Sequence, residues 1–336
     1  MRRSKPTQIL VIRLSALGDV AMTIPAVYSV ATAHPEVTLH VVTTPFCAQL
    51  FVHAPANVVL HPCKRGDSLR QTVSLLRANS IDAVADLHNV LRSWLMDACA
   101  LLHGKRVCMV DKRRSERKTV LSGKKSARRF TQRYFDVFER LGLPSEPTFT
   151  SVFPELPPSP VEQEKGEGRW IGIAPFARYQ NKTYPLEQMR QVAALLAAEP
   201  AVHVFLFGSR GEEAATLQQW ETLSPQITSV AGRFSLQEEL ALMARLDVMV
   251  TMDSANMHLA SLVGTRVVSI WGSTTPACGF MGYGQRQEDA LCLQLDCQPC
   301  TIAGSKECPR ATLDCLRRLS PQQVVRKVLG SDDVNH

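Results

Sequence analysis

Short apolar runs alternate with helical patterns along the first part of the chain. Short runs of this kind are typical of strands in a parallel sheet that is buried on both faces. The stretches between them repeat their apolar residues at helical spacing. The predicted strands are Ile9–Ile12, Val37–Val42, Ala83–Asp86 and Arg106–Val110, and the predicted helices are Leu17–Ala33, Val90–Leu102 and Arg129–Leu141.

A proline-rich stretch between Gly142 and Gly168 interrupts this alternation, because proline lacks a backbone donor and fixes φ. The alternation then restarts. The second set of predicted strands is Trp170–Ala174, Val202–Phe207, Ile227–Val230, Val248–Thr251 and Val267–Trp271, and the predicted helices are Leu186–Ala198, Glu212–Trp220, Leu236–Arg245 and Ser254–Val263.

This order predicts an α/β chain with two Rossmann-like domains, at 1–145 and 169–319. A linker at 146–168 joins them, and a C-terminal helix and tail occupy 320–336. Open α/β sheets bind ligands at the carboxyl ends of their strands. We therefore expect the two domains to face a central ligand-binding cleft.

The composition agrees with two folded domains. The chain has 336 residues, of which 45% are hydrophobic and 21% charged, so each half can bury a core. The apolar run Ile9–Ile12 is too short for a signal peptide or a membrane span, and no later run reaches that length. We expect a cytoplasmic protein.

Positive charge is concentrated in one segment. The net charge is +7, and between Lys105 and Arg133 twelve basic residues are opposed only by Asp111 and Glu116. Such a segment typically meets phosphate on a nucleic acid, an anionic membrane or a phosphorylated substrate. A solvated charged loop is the alternative interpretation.

The segment after the first strand, Arg13-Leu-Ser-Ala-Leu-Gly-Asp19, lacks the G-x-G-x-x-G spacing of dinucleotide-binding proteins. Gly18 allows a tight turn and the close approach of a ligand. Asp19 stands at the opening of a helix, where it can act as a cap. A carboxylate here can also accept a proton from an attacking hydroxyl.

Three later loops offer groups to a nucleotide diphosphate. Arg178, Lys182 and Thr183 follow the first strand of the second half, and Lys182 can stabilise the charge of a leaving diphosphate. Glu212 and Glu213 are candidates for ribose binding or simply first-turn acids of a helix. The helix start at Asp253, Ser254 and Ala255 predicts a phosphate site, with His258 one turn on and Gly272 after the next strand.

These motifs resemble the lipopolysaccharide heptosyltransferase family, glycosyltransferase family 9. The resemblance runs from about residue 8 to 318 and rests on Leu-Gly-Asp19-Val, Lys182 before Tyr-Pro, Asp253-Ser-Ala-Asn-Met-His258 and the terminal cysteines. It implies a GT-B fold and an inverting transfer of heptose from ADP-heptose to the lipid A–Kdo inner core. The first domain would then bind the acceptor and the second the nucleotide sugar.

The resemblance also implies residue roles. Asp19 matches the general base, Lys182 the lysine that holds the donor phosphates, and Glu212 or Glu213 the ribose-binding acid. Asp253 with its helix start matches the rest of the donor site. We expect the acceptor, at the inner face of the inner membrane, to be oriented by Arg13, Ser15, Lys112, Arg113, Arg114, Arg117, Lys118 and Arg128.

Metal use is predicted separately for catalysis and structure. The sequence contains no Asp-x-Asp pair to hold Mg²⁺ or Mn²⁺, so we expect a metal-independent reaction with no required cofactor. Four clustered cysteines, Cys297, Cys300, Cys308 and Cys315, are compatible with a structural zinc site, with reduced thiols that brace a loop, or with disulfides.

Two other functions are compatible with the sequence. A nucleotide-sugar 2-epimerase has the same architecture and needs no lipid acceptor. A non-catalytic nucleic-acid binder would use the basic segment, but its aromatic residues Phe130, Tyr134 and Phe135 fall on a predicted helix rather than on a stacking platform.

Overall fold

The computed structural model describes residues 5–78 and 81–330. The chain forms two compact units. Unit 1 contains the residues up to Arg114 together with Arg128–Pro154, and unit 2 contains Ser115–Ala127 together with the residues from Glu155 onward. Part of the basic segment therefore packs with unit 2. The domain limits at 145 and 168 remain predictions.

Unit 1 is built on a parallel sheet of five strands in the order β3-β2-β1-β4-β5. Its strands are β1 Gln8–Ile12, β2 Thr38–Thr43, β3 Val58–Pro62, β4 Ala83–Asp86 and β5 Arg106–Met109. Its helices are α1 Leu17–Ala21, α2 Ile24–Ala33, α3 Pro45–Ala48, α4 Ser68–Ala78, α5 Leu91–Leu102 and α7 Phe130–Arg140.

Unit 1 differs from the prediction in one helix that is divided and in elements that were not predicted. The single helix predicted at Leu17–Ala33 is divided into α1 and α2, because Pro25 occupies the first turn of α2 and cannot supply the donor that would continue α1. The elements β3 and α4 of this unit were not predicted from the sequence. β3 is an edge strand with exposed and half-buried positions, so it lacks a continuous apolar run.

Unit 2 is built on a parallel sheet of six strands in the order β11-β10-β9-β6-β7-β8. Its strands are β6 Arg169–Ala174, β7 Val202–Leu206, β8 Ile227–Ser229, β9 Val248–Met252, β10 Arg266–Ile270 and β11 Ala290–Leu291. Its helices are α6 Arg117–Leu121, α8 Leu186–Ala197, α9 Glu212–Trp220, α10 Leu236–Met243, α11 Ala255–Leu262, α12 Asp314–Arg317 and α13 Pro321–Leu329.

Each sheet has its own apolar core and one point where the strand order reverses. In unit 1 the reversal lies between β1 and β4, and in unit 2 between β6 and β9. Loops that leave the carboxyl ends of two such strands diverge and open a crevice, which is where open α/β sheets bind ligands. The predicted class, α/β with two Rossmann-like sheets as in GT-B enzymes, is confirmed.

Within residues 5–78 and 81–330, no helix has the length and apolar character needed to cross a bilayer.

Candidate functional site

In unit 1, Asp19 lies on the first turn of α1, after the carboxyl end of β1. One of its oxygens, Oδ2, lies 2.6 Å from Arg13 Nη2 and accepts a hydrogen bond from the Ala16 N–H at 3.3 Å. Its side chain is nevertheless 38% exposed. Asp19 is therefore a fixed anion with one side open to an incoming hydroxyl.

Arg13 is the residue that holds Asp19 in place. It is buried, and its Nη1 donates to the Leu87 carbonyl oxygen at 2.7 Å while Nη2 contacts Asp19. Burial opposes its charge, but Tyr134, Asp19 and Asp86 outweigh burial and raise the pKa of Arg13. The structure thus gives Arg13 a positioning contact, and its predicted acceptor contact remains a prediction.

Two further groups of unit 1 share this electrostatic environment. Burial, followed by the charges of Arg13 and Lys112, lowers the pKa of His88 to about 3, so its imidazole is neutral at physiological pH. Burial and the cations Arg13 and Arg114 also lower the pKa of the predicted acceptor residue Lys112.

His88 was not among the predicted site residues, because it lies between the predicted strand Ala83–Asp86 and the predicted helix Val90–Leu102. The register pairs Ile12 of β1 with Asp86 of β4, so the segments that leave these two strands are neighbours. Three polar residues, Asp86, His88 and Asn89, lie at or just after the end of this strand. They indicate a site beside Asp19 only once the strand order is known.

A buried carboxylate, Asp86, organises this loop. Its Oδ1 accepts hydrogen bonds from the backbone N–H groups of His88 and Asn89 at 2.7 and 2.9 Å, and its Oδ2 accepts one from Ser93 Oγ at 2.8 Å. Asp97, which is 3% exposed, lies beside it. Burial and then the neighbouring Asp86 raise the pKa of Asp97 to about 8. Asp97 therefore carries a proton at neutral pH and can donate it to Asp86.

The rest of the basic segment is dispersed over both units. In unit 1, Arg113 pairs with Asp111 at 3.3 Å and Arg128 with Asp136 at 2.6 Å, while Arg114 is exposed and Ser15 half-buried. Arg117 and Lys118 are exposed on α6 of unit 2, and the backbone there is tied to Ala277 through the Ala127 N–H at 2.7 Å. Their predicted acceptor contacts remain predictions.

In unit 2, Lys182 and Asp253 come together from the loops that follow β6 and β9. Lys182 Nζ lies 2.6 Å from Asp253 Oδ2, and the two side chains are only 12% and 5% exposed. Thr274, after β10, donates to the same Asp253 oxygen at 2.7 Å. The carboxylate thus holds the ammonium group at the carboxyl end of the sheet.

The helix α11 begins directly after Asp253. Its N-cap Ser254 makes no side-chain cap, because its hydroxyl is paired with that of Thr251 at 3.0 Å. The first N–H groups of α11 and the positive end of its dipole therefore remain available to an anion beside Lys182. Ala255 adds little bulk there, and His258 is buried on the next turn.

Two glycines make room around Lys182. A Cβ at Gly272 would lie 2.5 Å from the Asn181 carbonyl oxygen, which accepts the Ser273 N–H at 3.0 Å. Gly304 has φ +83°, and a Cβ there would collide with the aliphatic chain of Lys182. The loops that surround the lysine therefore depend on glycine backbone.

The other predicted donor residues flank this centre. Thr183 Oγ1 donates to the Tyr179 carbonyl oxygen at 3.1 Å, and exposed Arg178 stacks over the Tyr179 ring at 5.4 Å. Glu213 Oε2 accepts the Ser209 N–H at 2.7 Å, whereas Glu212 is exposed on the first turn of α9. The choice between the two acids for ribose remains open.

The four terminal cysteines, Cys297, Cys300, Cys308 and Cys315, line one cavity together. Each is a free thiol, and burial with the neighbouring three cysteines raises the pKa of Cys315 to about 12. Among the residues that the structure describes, no group of three or more ligating side chains is arranged to hold a metal ion. The zinc site remains a prediction of the sequence.

Two parallel Rossmann-like sheets, with a lysine and a helix N-terminus at the reversal point of the second, define an α/β protein with a site suited to an anionic ligand. The sequence profile of glycosyltransferase family 9 (heptosyltransferase) matches residues 69–310, which is more than half of the chain. The chain belongs to this family.

Named relatives agree with this membership. The chain is 24% identical over 291 residues to lipooligosaccharide heptosyltransferase 2 of Haemophilus influenzae, covering 80% of this chain and 84% of the relative. Its fold is similar to a glycosyl transferase family 9 structure from Veillonella parvula, with 20% identity, a TM-score of 0.70 and coverage of 98% and 99%. The fold is also similar to E. coli heptosyltransferase WaaC with ADP, with 18% identity, a TM-score of 0.65 and coverage of 83% and 92%.

Membership in a glycosyltransferase family decides between the functions that the sequence left open. The chain is a glycosyltransferase, and neither the 2-epimerase nor the nucleic-acid binder is favoured.

Proposed function

We propose that the chain transfers heptose from ADP-heptose to the lipid A–Kdo inner core of lipopolysaccharide, with inversion at the anomeric carbon. The observation that carries this proposal is Asp19, an anion fixed by buried Arg13 and open on one side. The names of the relatives, a lipooligosaccharide heptosyltransferase and a heptosyltransferase solved with ADP, support the choice of donor and acceptor.

The donor diphosphate would bind to unit 2 at Lys182 and the first N–H groups of α11. Asp253 keeps the ammonium group oriented, and a diphosphate would share that ammonium with it. Glu212 or Glu213 would hold the ribose hydroxyls, with Gly272 leaving space for the nucleotide. Arg178, Thr183, Ser254, Ala255 and His258 complete this proposed donor set.

In the reaction, Asp19 accepts the proton of an acceptor hydroxyl as its oxygen attacks the anomeric carbon of the heptose. The bond from that carbon to the diphosphate oxygen breaks, and ADP leaves with the electron pair. Lys182 and the N-terminus of α11 stabilise the new negative charge, so the step needs no metal ion. The acceptor's own anionic groups would meet Lys112 and the other basic residues of the predicted acceptor set.

The proposal places the protein in the cytoplasm, at the inner face of the inner membrane, where a lipid-linked acceptor is anchored. A structural role for zinc at the four cysteines rests on the sequence alone, since no group in the described residues is arranged to hold a metal ion. Stoichiometric zinc in freshly purified protein supports that role, and its absence refutes it.

The test is Asp19→Asn, assayed with ADP-heptose and lipid A–Kdo acceptor. Turnover should fall about 10²-fold or more, because the amide cannot accept the proton, while ADP affinity measured by calorimetry changes little. Asp67→Asn, which removes an exposed acid of the same unit outside the predicted acceptor set, is the matched control. Unchanged turnover in Asp19→Asn, or no preference for ADP over UDP and GDP, would contradict the proposal.

A further inference from the structure

The outward face of α5 is apolar over its whole length. Leu91, Trp94, Leu95, Leu101 and Leu102 are 72%, 42%, 56%, 59% and 89% exposed, and Ala98 is exposed as well. Their spacing of three, four and seven residues places all six on one side of the helix. A contiguous apolar stripe of this size on a surface helix marks an interaction site.

The inward face of the same helix has the opposite character. Ser93 and Asp97 point into unit 1, where Ser93 donates to Asp86, and Met96 and Ala100 pack in the apolar core of that unit. The helix is thus anchored to its own unit by two polar residues, a methionine and an alanine, and shows its leucines and Trp94 to the outside. An ordinary surface helix has the reverse distribution.

Positive charge surrounds the stripe. Arg92 lies at its edge on α5, Lys105 and Arg106 follow its carboxyl end, and the adjoining α4 presents Arg70 and Arg77. In the segments 64–78 and 91–106, the acidic residues are Asp67 and the buried Asp97. These two segments therefore carry seven basic residues against two acidic ones.

We propose that α5, with this apolar stripe (Leu91, Trp94, Leu95, Ala98, Leu101 and Leu102), is the surface by which the chain docks on an anionic lipid bilayer. The stripe would enter the boundary between headgroups and acyl chains, and the surrounding cations would meet the anionic headgroups. A helix of this length extends about 18 Å, so it fits in the plane of the membrane and is too short to cross it.

Charge complementarity favours a bilayer over a second copy of the chain. In a two-fold dimer through this face, the cations around one stripe would oppose the same cations of its partner. Anionic headgroups instead neutralise them. Trp94 suits the interfacial position as well, because its ring is exposed while its Nε1 donates to Asn89 Oδ1 at 2.8 Å.

Trp94 also supplies the assay. The chain has four tryptophans, and the other three, Trp170, Trp220 and Trp271, are buried. Vesicles of phosphatidylglycerol with phosphatidylcholine should therefore shift Trp94 emission to the blue, and lipids brominated on the acyl chain should quench it. Trp94→Phe should abolish both signals while the protein still sediments with the vesicles.

The decisive variant is Leu95→Gln with Leu102→Gln, which removes two exposed side chains and leaves the inward face intact. Its affinity for anionic vesicles should fall at least tenfold, whereas the matched control Leu156→Gln with Leu195→Gln, at exposed positions of unit 2, should bind like the wild type. Vesicles of phosphatidylcholine alone should bind weakly.

Three results would overturn the inference: no binding to anionic vesicles, equal binding by the stripe variant, or a dimer in ultracentrifugation that the stripe variant dissociates. The inference extends the proposed function but is tested without sugar transfer. ADP binding and transfer to a deacylated, water-soluble acceptor should be the same in the stripe variant and the wild type. If the wild-type chain fails to bind anionic vesicles while it still binds ADP and transfers the sugar, the docking surface is refuted and the transfer proposal stands.

Discussion

The buried pair Asp86 and Asp97 makes stability depend on pH in a defined direction. Asp97 is 3% exposed, and burial with the neighbouring carboxylate raises its pKa to about 8 from an ordinary value of 3.8. Between these two pH values the folded chain keeps a proton that the unfolded chain releases. The wild type should therefore lose stability as the pH rises from about 4 toward 8, because the unfolded state binds fewer protons.

The size of this effect follows from the shift. Each pH unit in this window costs about 1.4 kcal/mol, so raising the pH from 5 to 8 removes at most about 4 kcal/mol from the stability of unit 1. Asp97→Asn removes the titrating group and keeps a donor for Asp86. The variant should resemble the wild type at pH 5 and be more stable by a few kcal/mol at pH 8.

Urea unfolding at both pH values, followed by far-UV circular dichroism, measures this difference as a shift of about 1–2 M in midpoint at pH 8. Asp82→Asn is the control. Burial opposes the charge of Asp82, but the Thr7 and Gln8 N–H groups outweigh burial and lower its pKa. That variant should lose similar stability at pH 5 and pH 8, since Asp82 is ionised at both. Parallel behaviour of Asp97→Asn and the wild type across this range would refute the reasoning.

Three other perturbations have expected outcomes. Tyr184→Phe should lower the free energy of unfolding in urea by about 1–2 kcal/mol, because the buried hydroxyl donates to the Leu319 carbonyl oxygen at 2.6 Å. Tyr134→Phe should leave it unchanged, because the buried Tyr134 hydroxyl has no hydrogen-bond partner in the described part of the chain. Equal losses in the two variants would be inconsistent with these contacts. Gly272→Ala should weaken ADP binding at least tenfold in calorimetry, since the new Cβ would displace the Asn181 carbonyl and the loop that carries Lys182. ADP affinity equal to that of the wild type would show that the loop can adjust without loss of the site. Excess chelator should leave turnover unchanged if Lys182 and α11 replace a metal at the diphosphate, and inhibition restored by Mg²⁺ or Mn²⁺ would rule this out.

The sequence predicted the fold class and most elements because buried parallel strands are continuous apolar runs. The prediction of one helix at Leu17–Ala33 was wrong, because Pro25 divides this stretch into two helices. The edge strand β3 was not predicted, because its apolar pattern is incomplete. The family could also be recognised from the sequence, because the motifs of Asp19, Lys182 and Asp253 follow predicted strands in the order that the family has.

Contacts between distant residues were not available from the sequence. Nothing in the sequence pairs Lys182 with Asp253, or Arg13 with the Leu87 carbonyl, because each contact depends on which strands are neighbours in the sheet. The same holds for the proton on Asp97, whose high pKa requires both its burial and the position of Asp86. Helical periodicity does reveal the apolar stripe of α5, but only burial shows that this face is turned outward.

The two faces of α5 connect the proposed base to the proposed membrane surface. Ser93 on the inner face donates to Asp86, which in turn accepts the N–H groups of His88 and Asn89. The loop that begins with this contact includes Leu87, whose carbonyl oxygen receives Arg13, the partner of Asp19. A helix is about 10 Å across, so docking through the outer face would hold this network roughly one helix diameter from the lipid. The contacts through Asp86, Leu87 and Arg13 would then hold the proposed base at that distance from the membrane surface.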